Sequence, residues 1–252
     1  MCELLAVAWE RPVPFSGLLD WACRLEQWGI AGFGWGVAWQ DESGAIRVDR
    51  GLGRFQDEAP RRETLRSATG TRFLVHLRRP NLLSTVQLAD TQPFPDGDVR
   101  AFCHNGYLQR AEAHRPQYAE VLRGAADSEV GWAYLRERLS AGMLPGDGLV
   151  AVDETFGGTA NLGYLDDTGV LLVYARNAMN PMWTFGVSSD GTAGTVAATS
   201  LHSADATVFD VVFPGAAGRI LLVSGTTARI GAPTDRERPE DGSRPTAVLH
   251  VG

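Results

Sequence analysis

Met1-Cys2-Glu3-Leu4-Leu5-Ala6-Val7-Ala8-Trp9 opens the chain. From Cys2 to Trp9 the run is almost wholly apolar, which reads as a strand buried on both faces. A strand that starts at residue 2 pins the chain end inside the fold, whereas an ordinary terminus frays. Pro12 and Pro14 are expected to end it. Initiator methionine is commonly trimmed before a small residue such as Cys. Trimming would leave Cys2 with a thiol and a free α-amine, which titrate at about 8.5 and about 7.7–8.0. One residue would then hold a sulfur nucleophile and a base able to take its proton.

The chain beyond this strand reads as alternating helices and strands. Ser16 resembles an N-cap, Leu18, Leu19, Ala22 and Leu25 recur at helical spacing, and Gly29 closes the helix. Gly32 to Trp39 alternates glycine with large residues, a strand whose backbone approaches something closely. It turns at Ser43-Gly44 and returns over Ala45–Arg50. A short helix is expected over Pro60–Ala68, a strand over Arg72–Arg78 and a long loop over 81–97. Val99–Cys103 is a strand that runs into His104-Asn105-Gly106, and Asn-Gly by itself signals a hairpin turn. A helix starts at Asp127-Ser128-Glu129, with Asp127 as cap or ligand. Gly158–Leu165 and Gly169–Arg176 form a hairpin, followed by strands over Val196–Ser200, Arg219–Ser224 and Thr226–Gly231. Residues 233–245 carry the polarity and proline content of a disordered tail, with a last strand at Val248–Val251.

Composition narrows the class. A chain of 252 residues can bury a sizeable core in one large domain or two small ones. A formal charge of −7 argues against a general nucleic-acid binder, which would show a basic excess. Cys2, Cys23 and Cys103 are odd in number and widely spaced, so neither a disulfide framework nor a metal site is expected, and a reducing cytoplasm fits. The start lacks the basic region and apolar run of a signal peptide, and no apolar run is long enough to span a membrane.

Taken in order, Met1-Cys2-Glu3-Leu4-Leu5, Gly34-Trp35-Gly36, His76-Leu77-Arg78, Thr91-Gln92-Pro93-Phe94, Phe102-Cys103-His104-Asn105-Gly106 and Asp127-Ser128-Glu129 form a set that resembles the class II glutamine amidotransferases. These are N-terminal-nucleophile hydrolases. The resemblance covers roughly residues 2–200. It implies an α+β fold, a four-layer αββα sandwich, in one domain over residues 2–231 with a polar tail at 232–252.

The same resemblance implies the chemistry. Cys2 attacks the amide carbon of a γ-glutamyl group. The Asn105 side-chain amide and the Gly106 N–H donate to the oxyanion, and losing one such donor typically costs about 10²–10³ in rate. Arg78 grips the substrate carboxylate in a planar fork. Asp127 accepts from the substrate ammonium. His76 and His104 are expected to serve structural hydrogen bonding, since the α-amine already supplies the base.

The implied activity is cleavage of glutamine or of a γ-glutamyl conjugate, without cofactor or metal. A stand-alone member similar to the γ-glutamyl hydrolase of ergothioneine synthesis is one form. The alternatives are a glutaminase subunit that supplies ammonia to a separate synthase, and a non-catalytic γ-glutamyl-binding protein. Partners are then a small γ-glutamyl molecule and, in the second form, that synthase, with no nucleic acid or membrane.

Arg79-Pro80-Asn81-Leu82, Asp90-Thr91-Gln92 and Ala198-Thr199-Ser200-Leu201 depart from the common family pattern. These departures bear on the pocket for the rest of the substrate.

Overall fold

The computed structural model describes residues 2–189, 191–203 and 207–232. Beyond Ala232, the polar tail and the strand expected at Val248–Val251 lie outside the described residues. In chain order the strands are β1 (Glu3–Pro14), β2 (Trp35–Gln40), β3 (Ile46–Gly51), β4 (Thr69–Leu77), β5 (Phe94–Asp96), β6 (Arg100–Leu108), β7 (Gly158–Asp166), β8 (Leu171–Ala175), β9 (Met182–Ser189), β10 (Thr192–Thr199), β11 (Ala217–Leu221) and β12 (Thr226–Arg229). They form a seven-stranded sheet in the order β11-β9-β10-β1-β4-β2-β3 and a five-stranded sheet in the order β12-β8-β7-β6-β5.

β1 shows why the opening run is apolar throughout. Side chains alternate across a strand. Leu5, Val7 and Trp9 face a core shared with the helix Ser16–Gly29 and the short helix Val208–Val212, through Leu18, Leu25, Phe209 and Phe213. Leu4, Ala6 and Ala8 face the other way, into a core between the two sheets with Leu74, Cys103, Val173 and Ala197. Alanine at three of these positions lets the sheets approach closely. Each fully buried Leu or Val side chain contributes about 1.5–3 kcal/mol. On the far face of the five-stranded sheet, Phe102, Leu162 and Tyr164 pack against Val130 and Leu135 of the helix Asp127–Ser140 and Leu149, Val152 and Phe156 of the helix Pro145–Phe156. The layers run helix, sheet, sheet, helix. This is the four-layer αββα arrangement of the α+β class.

Several elements differ from their sequence reading. β1 continues to Pro14, because its register shifts between Ala8 and Val13 and Pro12 falls where no ladder amide is needed. Ser16 is the first helical residue and makes no capping bond. Phe15 precedes it as the cap, and Ile30 ends the helix in the left-handed region at φ 52°. The expected helix over Pro60–Ala68 is broken into short turns, because Arg62 is extended at ψ 118°. The helix Pro145–Phe156 and strand β9 have no counterpart in the sequence reading.

The largest difference is at Asn105-Gly106. The chain does not turn there. β6 runs straight through and pairs with β7 at Asn105↔Asn161 and Gly106↔Ala160. A neighbouring strand offered a full ladder, and that outweighs the local turn preference of Asn-Gly.

Candidate functional site

β1 begins beside Cys2, and the residue pair after β4, Asn105 within β6 and Asn180 ahead of β9 meet it there. Glu3 pairs with Leu77 of β4, so Cys2 lies beside the residues that follow that strand. The half-buried Cys2 Sγ accepts from the Arg79 N–H at 3.4 Å and lies 3.6 Å from the Arg79 carbonyl. Burial pushes the Cys2 thiol up, and the Arg79 amide and the Arg78 guanidinium pull it back down. Cys103 lies fully buried between the sheets, where burial raises its thiol well above the ordinary value.

A cavity of about 400 Å³ opens beside Cys2. Arg78, Arg79, Gly106, Tyr107, Asp127 and Ser128 are among the residues that line it. Its size falls in the range of small-molecule sites, about 300–1,000 Å³.

Arg78 is 4% exposed. Its Nη2 donates to the Thr85 carbonyl at 2.6 Å and to Thr85 Oγ1 at 2.8 Å, which fixes the side chain. Its Nη1 and Nε are buried with no acceptor among the described residues. An unpaired donor of this kind is costly unless something accepts from it. Burial lowers the Arg78 pKa, and the charges of Cys2, Asp90 and Asp127 oppose that shift. The Gly-Trp-Gly stretch supports this residue from behind, since the Arg78 N–H donates to the Gly34 carbonyl at 2.8 Å. A Cβ at Gly36 would lie 2.2 Å from the Gln92 carbonyl oxygen, so only glycine lets the long loop close over the strand.

Asp127 is the first residue of its helix rather than the cap, which is Ala126. Its Oδ2 accepts from the Leu108 N–H at 2.7 Å and its Oδ1 from the Ser128 N–H at 2.8 Å. The buried Asp90 anchors the helix entrance, accepting from the Ala126 N–H at 2.7 Å. His104 is buried and is among the residues that line the cavity, and His76 is buried beside it. His104 Nδ1 lies 3.0 Å from Ser128 Oγ and its Nε2 3.2 Å from the Thr159 carbonyl. His76 Nε2 lies 3.2 Å from the His104 carbonyl, and burial together with Arg78 holds its pKa down at about 3.

Asn105 is fully buried, and its Nδ2 donates to the Cys2 carbonyl in a short contact. Its Oδ1 accepts from Asn161 Nδ2 at 3.0 Å and Asn177 Nδ2 at 3.2 Å. Asn161 Nδ2 also donates to the Asn180 carbonyl at 2.7 Å, and Asn180 Nδ2 reaches the Cys2 carbonyl at 3.3 Å. Two asparagines, Asn105 and Asn180, thus reach the main-chain carbonyl of Cys2, and Asn161 and Asn177 hold the Asn105 oxygen. Gly106 has φ +145°, and a Cβ there would lie 2.0 Å from the Thr159 carbonyl oxygen. Only glycine fits that close approach.

Glu3 completes the surroundings. It is fully buried, and its Oε2 accepts from Asn180 Nδ2 at 3.1 Å and from Thr199 Oγ1. Its Oε1 has no hydrogen-bond partner among the described residues and lies 3.7 Å from His202 Nε2. Desolvation raises its pKa to about 7, and the pKa of His202 is lowered mainly by burial. Both shifts favour a neutral pair.

The fold therefore places Cys2 and Asn105 in contact, and Arg78, Gly106 and Asp127 around the same cavity. Sequence reasoning did not single out Glu3, Asn161, Asn177 or Asn180. The only local signal was polar residues, such as Asn177 and Asn180, between apolar runs. Among the described residues, no group of three or more His, Cys, Asp or Glu side chains is arranged to hold a metal ion, and no helix is long and apolar enough to cross a membrane.

A family model described as class-II glutamine amidotransferases matches residues 1–166. Among solved structures, the chain is similar to the glutamine phosphoribosylpyrophosphate amidotransferase from B. subtilis complexed with ADP and GMP. The two are 18% identical, with 90% of this chain and 48% of that one covered and a TM-score of 0.62. It is also similar to an allosteric regulatory enzyme of purine biosynthesis, with 18% identity, coverage of 92% and 45% and a TM-score of 0.63. A class-II glutamine aminotransferase domain protein from Silicibacter pomeroyi gives 17% identity, coverage of 92% and 95% and a TM-score of 0.59. The chain spans about half the length of the first two. No curated protein matches its sequence.

Proposed function

Because the chain belongs to the class II glutamine amidotransferases, we propose that it hydrolyses a γ-glutamyl amide through Cys2, with Met1 removed. The observation that carries this reading is the shared cavity: a thiol at one point of its wall, and at another the buried Arg78 with two donors that have no acceptor among the described residues. A γ-glutamyl group spans such a pair, with its amide at the sulfur and its carboxylate at the guanidinium.

In this mechanism the Cys2 sulfur attacks the amide carbon, and its proton passes to the α-amine of the same residue. Carbonyl oxygen takes up the negative charge. The Gly106 N–H and the second N–H of the Asn105 amide are the proposed donors to it. Asn105 already gives one N–H to the Cys2 carbonyl, which Asn180 also approaches, so the amide is held in place by its neighbours. The carbon–nitrogen bond then breaks, and the α-ammonium gives its proton to the departing amine. Water adds to the thioester, glutamate leaves, and the thiol and amine are restored. Arg78 binds the α-carboxylate of the substrate and Asp127 its α-ammonium.

The stand-alone hydrolase is the form proposed, with γ-glutamyl conjugates, including the sulfoxide type of ergothioneine synthesis, as substrates alongside glutamine. Supply of ammonia to a separate synthase is a second reading. It draws support from the resemblance to about half of a longer enzyme named as an amidotransferase. The test is glutamate release from a panel of γ-glutamyl amides that includes glutamine, with intact mass to establish loss of Met1. Wild-type protein is expected to release glutamate and Cys2→Ala to release none while folding normally. Retained turnover in Cys2→Ala removes the mechanism. A folded, Met1-free wild type that binds γ-glutamyl compounds without cleaving any of them leaves a binding protein instead.

A further inference from the structure

The cavity holds more positive charge than a γ-glutamyl head requires. The head carries one carboxylate and one ammonium, and on the reading above Arg78 and Asp127 match them. Two other charged residues of the wall, Arg115 and Glu112, pair with each other at 2.9 Å, and Arg115 also donates to the carbonyls of Gly124, Ala125 and Ala126. Arg79 is different. It is exposed and lines the cavity, and its side chain makes no hydrogen bond or ion pair among the described residues, although its main chain holds the Cys2 sulfur.

Arg78 and Arg79 are consecutive, yet they stand in opposite environments. Arg78 is buried and fixed by Thr85, and Arg79 faces solvent. The sulfur rests against the main chain of Arg79. On the reading above, an amide carbon at that sulfur has its glutamyl side toward Arg78, which leaves its nitrogen side for the rest of the cavity. Leu82 and Tyr107, 65% and 52% exposed, line the cavity as well. Glutamine, whose leaving group is ammonia, has no group beyond the amide nitrogen to fill such space.

We infer that the leaving amine carries an anionic oxygen group, such as a carboxylate or sulfonate, bound by Arg79. This rests on the amidohydrolase reading and narrows its substrates to γ-glutamyl conjugates of acidic amines. The anion takes no part in bond breaking. It orients the amine, which departs with the proton from the α-ammonium.

The experiment compares kcat/KM for γ-glutamylglycine, γ-glutamyltaurine and the neutral γ-glutamylglycinamide, in wild-type protein, Arg79→Lys and Arg79→Gln. Wild type is expected to favour at least one acidic conjugate over the glycinamide by about five- to tenfold, since an exposed but charge-assisted contact is gained. Which of the two is favoured separates carboxylate from sulfonate. The preference should shrink at high salt, persist in part in Arg79→Lys and fall to near unity in Arg79→Gln. Dissociation constants in the Cys2→Ala background, with and without Arg79→Gln, should show the same preference without turnover. Equal use of all three amides by wild type, or a preference unchanged in Arg79→Gln, overturns the role of Arg79 and leaves the hydrolase standing. Glutamate release from none of them, nor from glutamine, overturns the hydrolase reading and this inference with it.

Discussion

Replacing Glu3 with Gln should make the protein more stable above neutral pH and leave it nearly unchanged in acid. Glu3 is fully buried, with one oxygen bound by Asn180 and Thr199 and the other without a hydrogen-bond partner among the described residues. Desolvation raises its pKa from 4.5 to about 7. The folded state therefore holds this proton more tightly than the unfolded chain. Its stabilising contribution is fully present below pH 4.5 and is lost as pH rises through about 7. At about 1.36 kcal/mol per pH unit, the loss is at most about 3 kcal/mol. Gln keeps an acceptor toward Asn180 and Thr199 and cannot ionise, so the variant lacks this pH dependence. The assay is urea unfolding of both proteins from pH 4.5 to 8. The buried Glu26 and Asp166 also have raised pKa values and tilt both curves alike, so the difference between the proteins isolates Glu3. In thermal melts the gap should widen by about 6–12 °C over that range, at about 2–4 °C per kcal/mol for a domain of this size. Curves that stay parallel from pH 4.5 to 8 would refute the reasoning. The same substitution removes a charge that raises the Cys2 thiol, so alkylation of Cys2 above pH 7 should become faster.

Arg78→Lys should raise KM for glutamine about ten- to a hundredfold with a smaller effect on kcat, because charge-assisted hydrogen bonds worth about 1.5–3 kcal/mol lose their forked geometry. An unchanged KM in steady-state assays would show that Arg78 does not bind the carboxylate. Gly106→Ala should cost roughly 10² or more in kcat and about 1–3 kcal/mol of stability, since φ +145° and the Thr159 carbonyl both exclude a Cβ. A variant with wild-type rate and melting temperature would place the oxyanion elsewhere.

Much of the frame was legible because its signals are local. The opening run Cys2–Trp9 is apolar on both faces, and β1 buries both faces. The amphipathic spacing of Leu18, Ala22 and Leu25 is the helix Ser16–Gly29, and the hairpin after Gly158 is β7 and β8. The helix Pro145–Phe156 carried a usable signal in Pro145 at its first turn and Leu149, Val152 and Phe156 along one face.

By itself the sequence determined which residue types stand in which order: a cysteine beside the initiator, an arginine at a strand end, an Asn-Gly pair and an acidic helix start. Only the tertiary structure decided what those residues touch. Asn105-Gly106 could turn or continue, and the choice fell to β7, which supplies a ladder across more than fifty residues of chain. The two asparagines at the Cys2 carbonyl and the burial of Glu3 follow from the same cause. A buried polar group is defined by its partners, and these come from strands far apart in sequence, so no local pattern can announce them.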